Sequence, residues 1–149
     1  MTYKPHAVLF EDQKSTFDMV KILLEEAGYA VEGYTSPVAF FQKPDLDKRI
    51  KVVDLLWTDV DMPGMYGTAA AVTFREHGFK GHIILYSGSS PDEFRPFQKP
   101  DFTSGNWRGP VFSAIHPKPL TPFELEGVIA VSREYIPFRE TKGIYTTER

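Results

Sequence analysis

Short apolar runs alternate with segments of helical period along this chain, and that alternation restricts its fold more than any single motif. The run AVLF at 7–10 is followed by Phe17, Val20, Ile22, Leu23, Leu24 and Ala27 at helical spacing, with Gly28 placed as a helix stop. A weaker strand is expected at 30–35, then a short helix entered through Ser36-Pro37 and running through Phe41. The polar stretch 42–49 leads into IKVVDLLW, apolar and β-branched enough for a buried central strand. TAAAVTFREHG predicts a third helix closed by Gly78, and HIILYS at 82–87 a fourth strand. VFSAIH at 111–116 predicts a fifth strand, and Thr121-Pro122-Phe123-Glu124 is a capping box opening a last helix to about Tyr135. Strand and helix in alternation imply an α/β chain whose five parallel strands form a doubly wound sheet.

The 149 residues are 42% hydrophobic, which suffices for one domain with a real core over 1–136, leaving a polar tail at 137–149. Seventeen basic and 20 acidic residues are mixed along the chain, so no footprint for nucleic acid or an anionic membrane appears. The absence of cysteine removes disulfides, thiolate metal sites and a cysteine nucleophile. With no signal-like segment and no run of about 18 apolar residues, a cytoplasmic protein without membrane insertion is expected.

In a doubly wound sheet, ligands bind at the carboxyl ends of the strands. The polar residues that end the expected strands are Glu11 and Asp12, Asp59 and Asp61, Ser87, and Lys118 ahead of Pro119. Carboxylates gathered in one pocket repel one another, and a hard divalent cation keeps them ionised. Magnesium suits a few carboxylate oxygens, a carbonyl and retained waters. A carboxylate so placed can attack a phosphoryl group while the metal and a nearby ammonium neutralise the transition state. His6, His77, His82 and His116 have no zinc-ligand spacing, and Met62 and Met65 are read as packing residues.

Taken together, Glu11-Asp12, the string D-x-D-M-P-G-M-x-G from Asp59 to Gly67, Ser87-Gly88 and Lys118-Pro119 resemble the receiver domains of two-component response regulators. The resemblance spans about residues 7–135, is similar to the single-domain chemotaxis type, and implies a flavodoxin-like sheet of order 2-1-3-4-5. It implies that Asp59 is the phosphoacceptor and Asp12 a magnesium ligand, with Glu11 acting through water and Asp61 through its main-chain carbonyl. Ser87 would be the hydroxyl that moves on phosphorylation, and Lys118 the lysine that bridges the acids and the phosphoryl group. The implied partners are a histidine kinase or phosphotransfer protein and a downstream protein target; no effector domain is expected on the chain, and a homodimer is left open. Beyond self-catalysed phosphotransfer and dephosphorylation, no enzyme activity is implied.

Two positions depart from the pattern. Ile115, three before Lys118, stands where the family often has a switching aromatic. In residues 89–110, Ser90-Pro91-Asp92-Glu93 has the form of a capping box with proline at the first helical position, but Pro96 and Pro100 then obstruct the helix, so only one or two turns of an irregular, shortened fourth helix are expected. Their aromatics Phe94, Phe97, Phe102 and Trp107 either fold over the sheet edge as a lid or stay exposed as a patch for a partner. Two other functions compete. The pair Asp59 and Asp61 also resembles the nucleophile motif of haloacid-dehalogenase-like phosphatases, but the further acidic motif after the lysine is missing. The second alternative is a receiver-shaped binding module that is not phosphorylated.

Overall fold

The computed structural model describes residues 4–136; the expected polar tail at 137–149 lies outside the described residues. In chain order the first elements are β1 (His6–Phe10), α1 (Lys14–Glu26), β2 (Ala30–Tyr34), α2 (Pro37–Gln42), α3 (Leu46–Lys51) and β3 (Leu55–Thr58). They are followed by α4 (Gly67–Glu76), β4 (His82–Ser87), a 3₁₀ helix at Pro91–Phe97, β5 (Thr103–Ser104), β6 (Trp107–Arg108), β7 (Ala114–Pro117) and α5 (Pro122–Arg133).

Five strands make one parallel sheet in the order β2-β1-β3-β4-β7. Counting only these strands, that is the flavodoxin-like order 2-1-3-4-5 implied by the resemblance. The direction of winding reverses between β1 and β3, which places the crevice for a ligand above the carboxyl ends of those two strands.

Side chains along the strands alternate between two cores. Val8, Phe10, Leu56, Ile83 and Leu85 face α2, α3 and α4, where Phe10, Phe40 and Phe74 meet with ring centroids 5.3 to 6.3 Å apart. Ala7, Leu9, Trp57, Ile84 and Tyr86 face Val20 and Leu24 of α1 and Leu125 and Ile129 of α5. Both α1 and α4 end on a glycine of positive φ, Gly28 and Gly78, whose N–H groups return to Glu25 O and Arg75 O.

Two boundaries differ from the sequence reading. The central strand begins at Leu55, because Ile50 and Lys51 belong to α3, a helix the polar stretch 42–49 did not suggest. Leu46 and Ile50, four apart, turn one side of α3 to the core, while Asp47 at its start and Lys48, Arg49 and Lys51 at its end complement the helix dipole. The fifth strand of the sheet begins at Ala114, because the backbone of 111–112 bonds elsewhere: Val111 N donates to Phe97 O at 2.8 Å and Phe112 N to Gln98 Oε1 at 2.8 Å.

The shortened fourth helix is a 3₁₀ helix capped by Ser90 and Glu93 and carrying Pro96. The aromatics within it and after it fold inward as a lid: Phe94 is buried, and Phe97, Phe102 and Trp107 are half-buried. Phe97 meets Phe102 and Phe112 with centroids 6.0 and 6.2 Å away, and the Trp107 ring lies 4.4 Å from the Arg75 guanidinium. Strands β5 and β6 pair antiparallel across Gly105-Asn106, a hairpin the sequence reading did not include.

Candidate functional site

The acidic residues after β1 and β3 are held by the sheet itself. Glu11 N donates to Tyr34 O and Asp59 N to Phe10 O, both at 3.0 Å, so the backbone ladder continues one residue past each strand. Glu11, Asp12 and Asp59 each offer a carboxylate oxygen, and these atoms lie within 4.8 Å of one another. Glu11 and Asp59 are buried, at 1% and 7% exposure, whereas Asp12 is exposed. Glu11 Oε2 accepts from Gln13 N at 3.1 Å and Asp59 Oδ1 from Val60 N at 2.7 Å, which fixes both carboxylates.

Lys118 reaches this group from the end of β7. Its amide donates to Ser87 O at 2.8 Å, and its Nζ stands 2.8 Å from Glu11 Oε1 and 3.0 Å from Asp59 Oδ2. Burial raises the Glu11 pKa and the charge of Asp59 adds to it, against the opposing bonds from Lys118 and the Gln13 amide. Burial alone would lower the Lys118 pKa, but its bonds to Glu11 and Asp59 outweigh that and hold it above the ordinary value.

The motif around Asp59 has a steric logic. A Cβ on Gly67 would stand 1.6 Å from Asp59 O and 2.7 Å from Thr58 Oγ1, so α4 starts directly against the residue after β3. Gly67 N donates to Val60 O at 2.8 Å and Thr58 Oγ1 to Asp59 O at 2.7 Å. Met62 is buried in the core and Met65 packs against it, in keeping with their packing role.

Ser87 is buried at the end of β4, with its Oγ accepting from Ser89 N at 3.1 Å. Asp61 is exposed in the loop after β3, and its carboxylate is outside the group of three. Ile115 pairs in register with Leu85 and packs into the core. Sequence reasoning missed Tyr86: its ring lies 5.5 Å from Lys118 Nζ, and its hydroxyl accepts from Leu120 N at 2.9 Å. Nothing in HIILYS marks Tyr86 as more than a strand residue.

Three carboxylates and no nitrogen or sulfur donor make an all-oxygen set that fits a hard divalent cation such as magnesium. Among the described residues no helix is long and apolar enough to cross a membrane.

No family model matches the sequence, nor does any curated protein sequence. Solved structures do resemble the chain. A signal receiver domain from Vibrio parahaemolyticus has a TM-score of 0.71 at 15% identity, covering 93% of this chain and 97% of its own. A Thermotoga maritima response regulator, solved in complex with magnesium and beryllium fluoride, has a TM-score of 0.65 at 18% identity, over 86% of this chain and 98% of its own. A chemotaxis response regulator of Vibrio cholerae has a TM-score of 0.62 at 21% identity, over 87% of this chain and 99% of its own. With the sheet order and helix placement above, these likenesses give the chain the fold of response-regulator receiver domains.

Proposed function

We propose that the chain is a phosphoacceptor of two-component signalling that takes a phosphoryl group on Asp59. The observation that carries this reading is Lys118 Nζ lying between Glu11 and Asp59, beside Asp12, at the carboxyl end of the sheet. Four side chains from three separate strand ends converge there, and each has a use in phosphoryl transfer.

Asp12 and Asp59 would hold magnesium through their carboxylates, Asp61 through its main-chain carbonyl and Glu11 through water. When bound, the metal supplies charge neutralisation to the phosphoryl oxygens. An Asp59 carboxylate oxygen attacks phosphorus, forming the acyl-phosphate bond as the bond from phosphorus to the donor's nitrogen or oxygen breaks. The donor keeps that electron pair. Lys118, held cationic by its two acidic neighbours, neutralises the charge on the phosphoryl group. The Ser87 hydroxyl, whose oxygen accepts from the Ser89 amide, donates its proton to a phosphoryl oxygen.

The Thermotoga maritima protein in complex with magnesium and beryllium fluoride supports this reading through its shared fold. The donor would be a histidine kinase or phosphotransfer protein, the output a protein contact, and the compartment the cytoplasm. The phosphatase alternative calls for a further acidic metal-binding motif after Lys118, whereas the carboxylates grouped with Asp59 come from Glu11 and Asp12.

Acetyl phosphate with magnesium should add one phosphoryl group to the protein, and Asp59→Asn should abolish the adduct, since an amide is no anionic nucleophile. Full labelling of Asp59→Asn would overturn the assignment. Catalytic release of phosphate from p-nitrophenyl phosphate would replace it with the phosphatase reading.

A further inference from the structure

We propose that a cleft at the amino-terminal end of the sheet, opposite the acidic group, is a second ligand site that takes a planar organic anion. Its volume is about 770 Å³, within the range of small-molecule pockets. It opens where β3 and β4 begin, and its walls include Asp54, Arg75, His82, Trp107 and Tyr135.

The charges set the sign of the ligand. Arg75 is 4% exposed, and its Nε and Nη1 donate to the carbonyls of Val111, Phe79 and Gly81 at 3.0, 3.0 and 2.8 Å. Among the described residues no carboxylate pairs with the guanidinium, and Nη2 makes no hydrogen bond. Burial lowers the Arg75 pKa to about 10, so the cation is held at a desolvation cost that an anion would relieve. Lys80 adds an exposed ammonium to the lining, and the lining's carboxylate, Asp54, already accepts from the His6 amide through Oδ2 at 2.8 Å.

The rings set its shape. Trp107 lies over the Arg75 guanidinium at 4.4 Å, and His82 stacks on Tyr135 with centroids 4.5 Å apart and planes 26° from parallel. Tyr135 is 66% exposed, a large aromatic surface left open at the mouth. Burial, then the nearby charges of Arg75 and His116, lower the His82 pKa to about 4, so its ring is neutral and does not compete with Arg75 for the anion. A flat ring stacked on these walls with a carboxylate turned toward Arg75 satisfies both features.

Amide NMR of the whole chain tests this with benzoate, with benzamide as the same ring without charge, and with inorganic phosphate as an anion without a ring. Benzoate should shift the Gly81 amide and the Trp107 indole N–H saturably, while the Asp59 amide stays in place. Both controls should bind at least about tenfold more weakly. Lys80→Glu, at an exposed position, should weaken benzoate about fivefold without affecting the fold. The proposal fails if benzoate leaves the Gly81 and Trp107 signals in place, if either control matches it, or if Lys80→Glu leaves its affinity unchanged.

Discussion

Gly67 and Asp59 are in contact so close that one methyl group on Gly67 would stand 1.6 Å from the Asp59 carbonyl oxygen. The last glycine of the D-x-D-M-P-G-M-x-G string is therefore a statement about packing: α4 must begin on top of the candidate phosphoacceptor. Gly67→Ala should cost about 3 kcal/mol of stability, the upper range for overpacking a tight site. Urea denaturation measures it, and a loss under about 0.5 kcal/mol would show that α4 can retreat freely.

Asp12 is the exposed member of the acidic group, so its removal should cost little packing. Asp12→Ala should weaken magnesium binding at least about tenfold and leave the metal-free protein as stable or slightly more so, because one repelling charge is gone. Titration calorimetry decides this; unchanged magnesium affinity would remove Asp12 from the site.

Lys118→Met would leave the carboxylates of Glu11 and Asp59 without their shared cation. Labelling by acetyl phosphate should slow by about a hundredfold, in line with the loss of one electrostatic contact to a transition state. Magnesium binding should survive, since the metal then has no internal cation to compete with. A labelling rate equal to that of the unaltered protein would deny Lys118 its role.

His82 should contribute to acid sensitivity. Its pKa is lowered from 6.5 to about 4 by burial, then by the nearby Arg75 and His116. The unfolded chain therefore takes up a proton at His82 before the folded one does. Stability tied to this residue is present above about pH 6.5 and is lost as pH falls toward 4. His82→Gln should show a smaller drop in urea midpoint between pH 7 and pH 5 than the unaltered protein. Parallel drops would assign the acid sensitivity to other groups.

The lid over the sheet edge should not be what moves on phosphorylation. Trp107 is held against Arg75, and its Nε1 donates to Gly109 O at 2.9 Å. On adding beryllium fluoride with magnesium, the Ser87 and Ser89 amide signals should shift while the Trp107 indole signal stays in place. A large Trp107 shift would instead make residues 89–110 part of the switch.

The strands were legible where they are continuous apolar runs, as in AVLF and HIILYS, because a strand buried on both faces needs no polar alternation. The start of β3 was not, since Ile50 and the two valines after it are as β-branched as a strand, and only Leu46 four residues before Ile50 hints at a helix. The β5–β6 hairpin did have a signal in Gly105-Asn106, a two-residue turn flanked by Thr103-Ser104 and Trp107-Arg108. The acids and Lys118 could be found because each directly follows a parallel strand, so sequence position already gives the end of the sheet it occupies. Tyr86 and Arg75 could not. Their partners, Leu120 and Val111, lie 34 and 36 residues away, and nothing local to either residue announces them.

Gln98 donates from Nε2 to Phe112 O at 2.9 Å and accepts from Phe112 N at 2.8 Å, imitating a rung of a sheet with its side-chain amide. The stretch between those two residues is thereby tied shut at its neck, while Gly105 and Asn106 at its far end are open to solvent. Extra residues grafted between Gly105 and Asn106 would be insulated from the sheet by that neck. This tip is where a peptide epitope or a fluorescent reporter can be carried with the least disturbance to Asp59, and where length differences between relatives should accumulate.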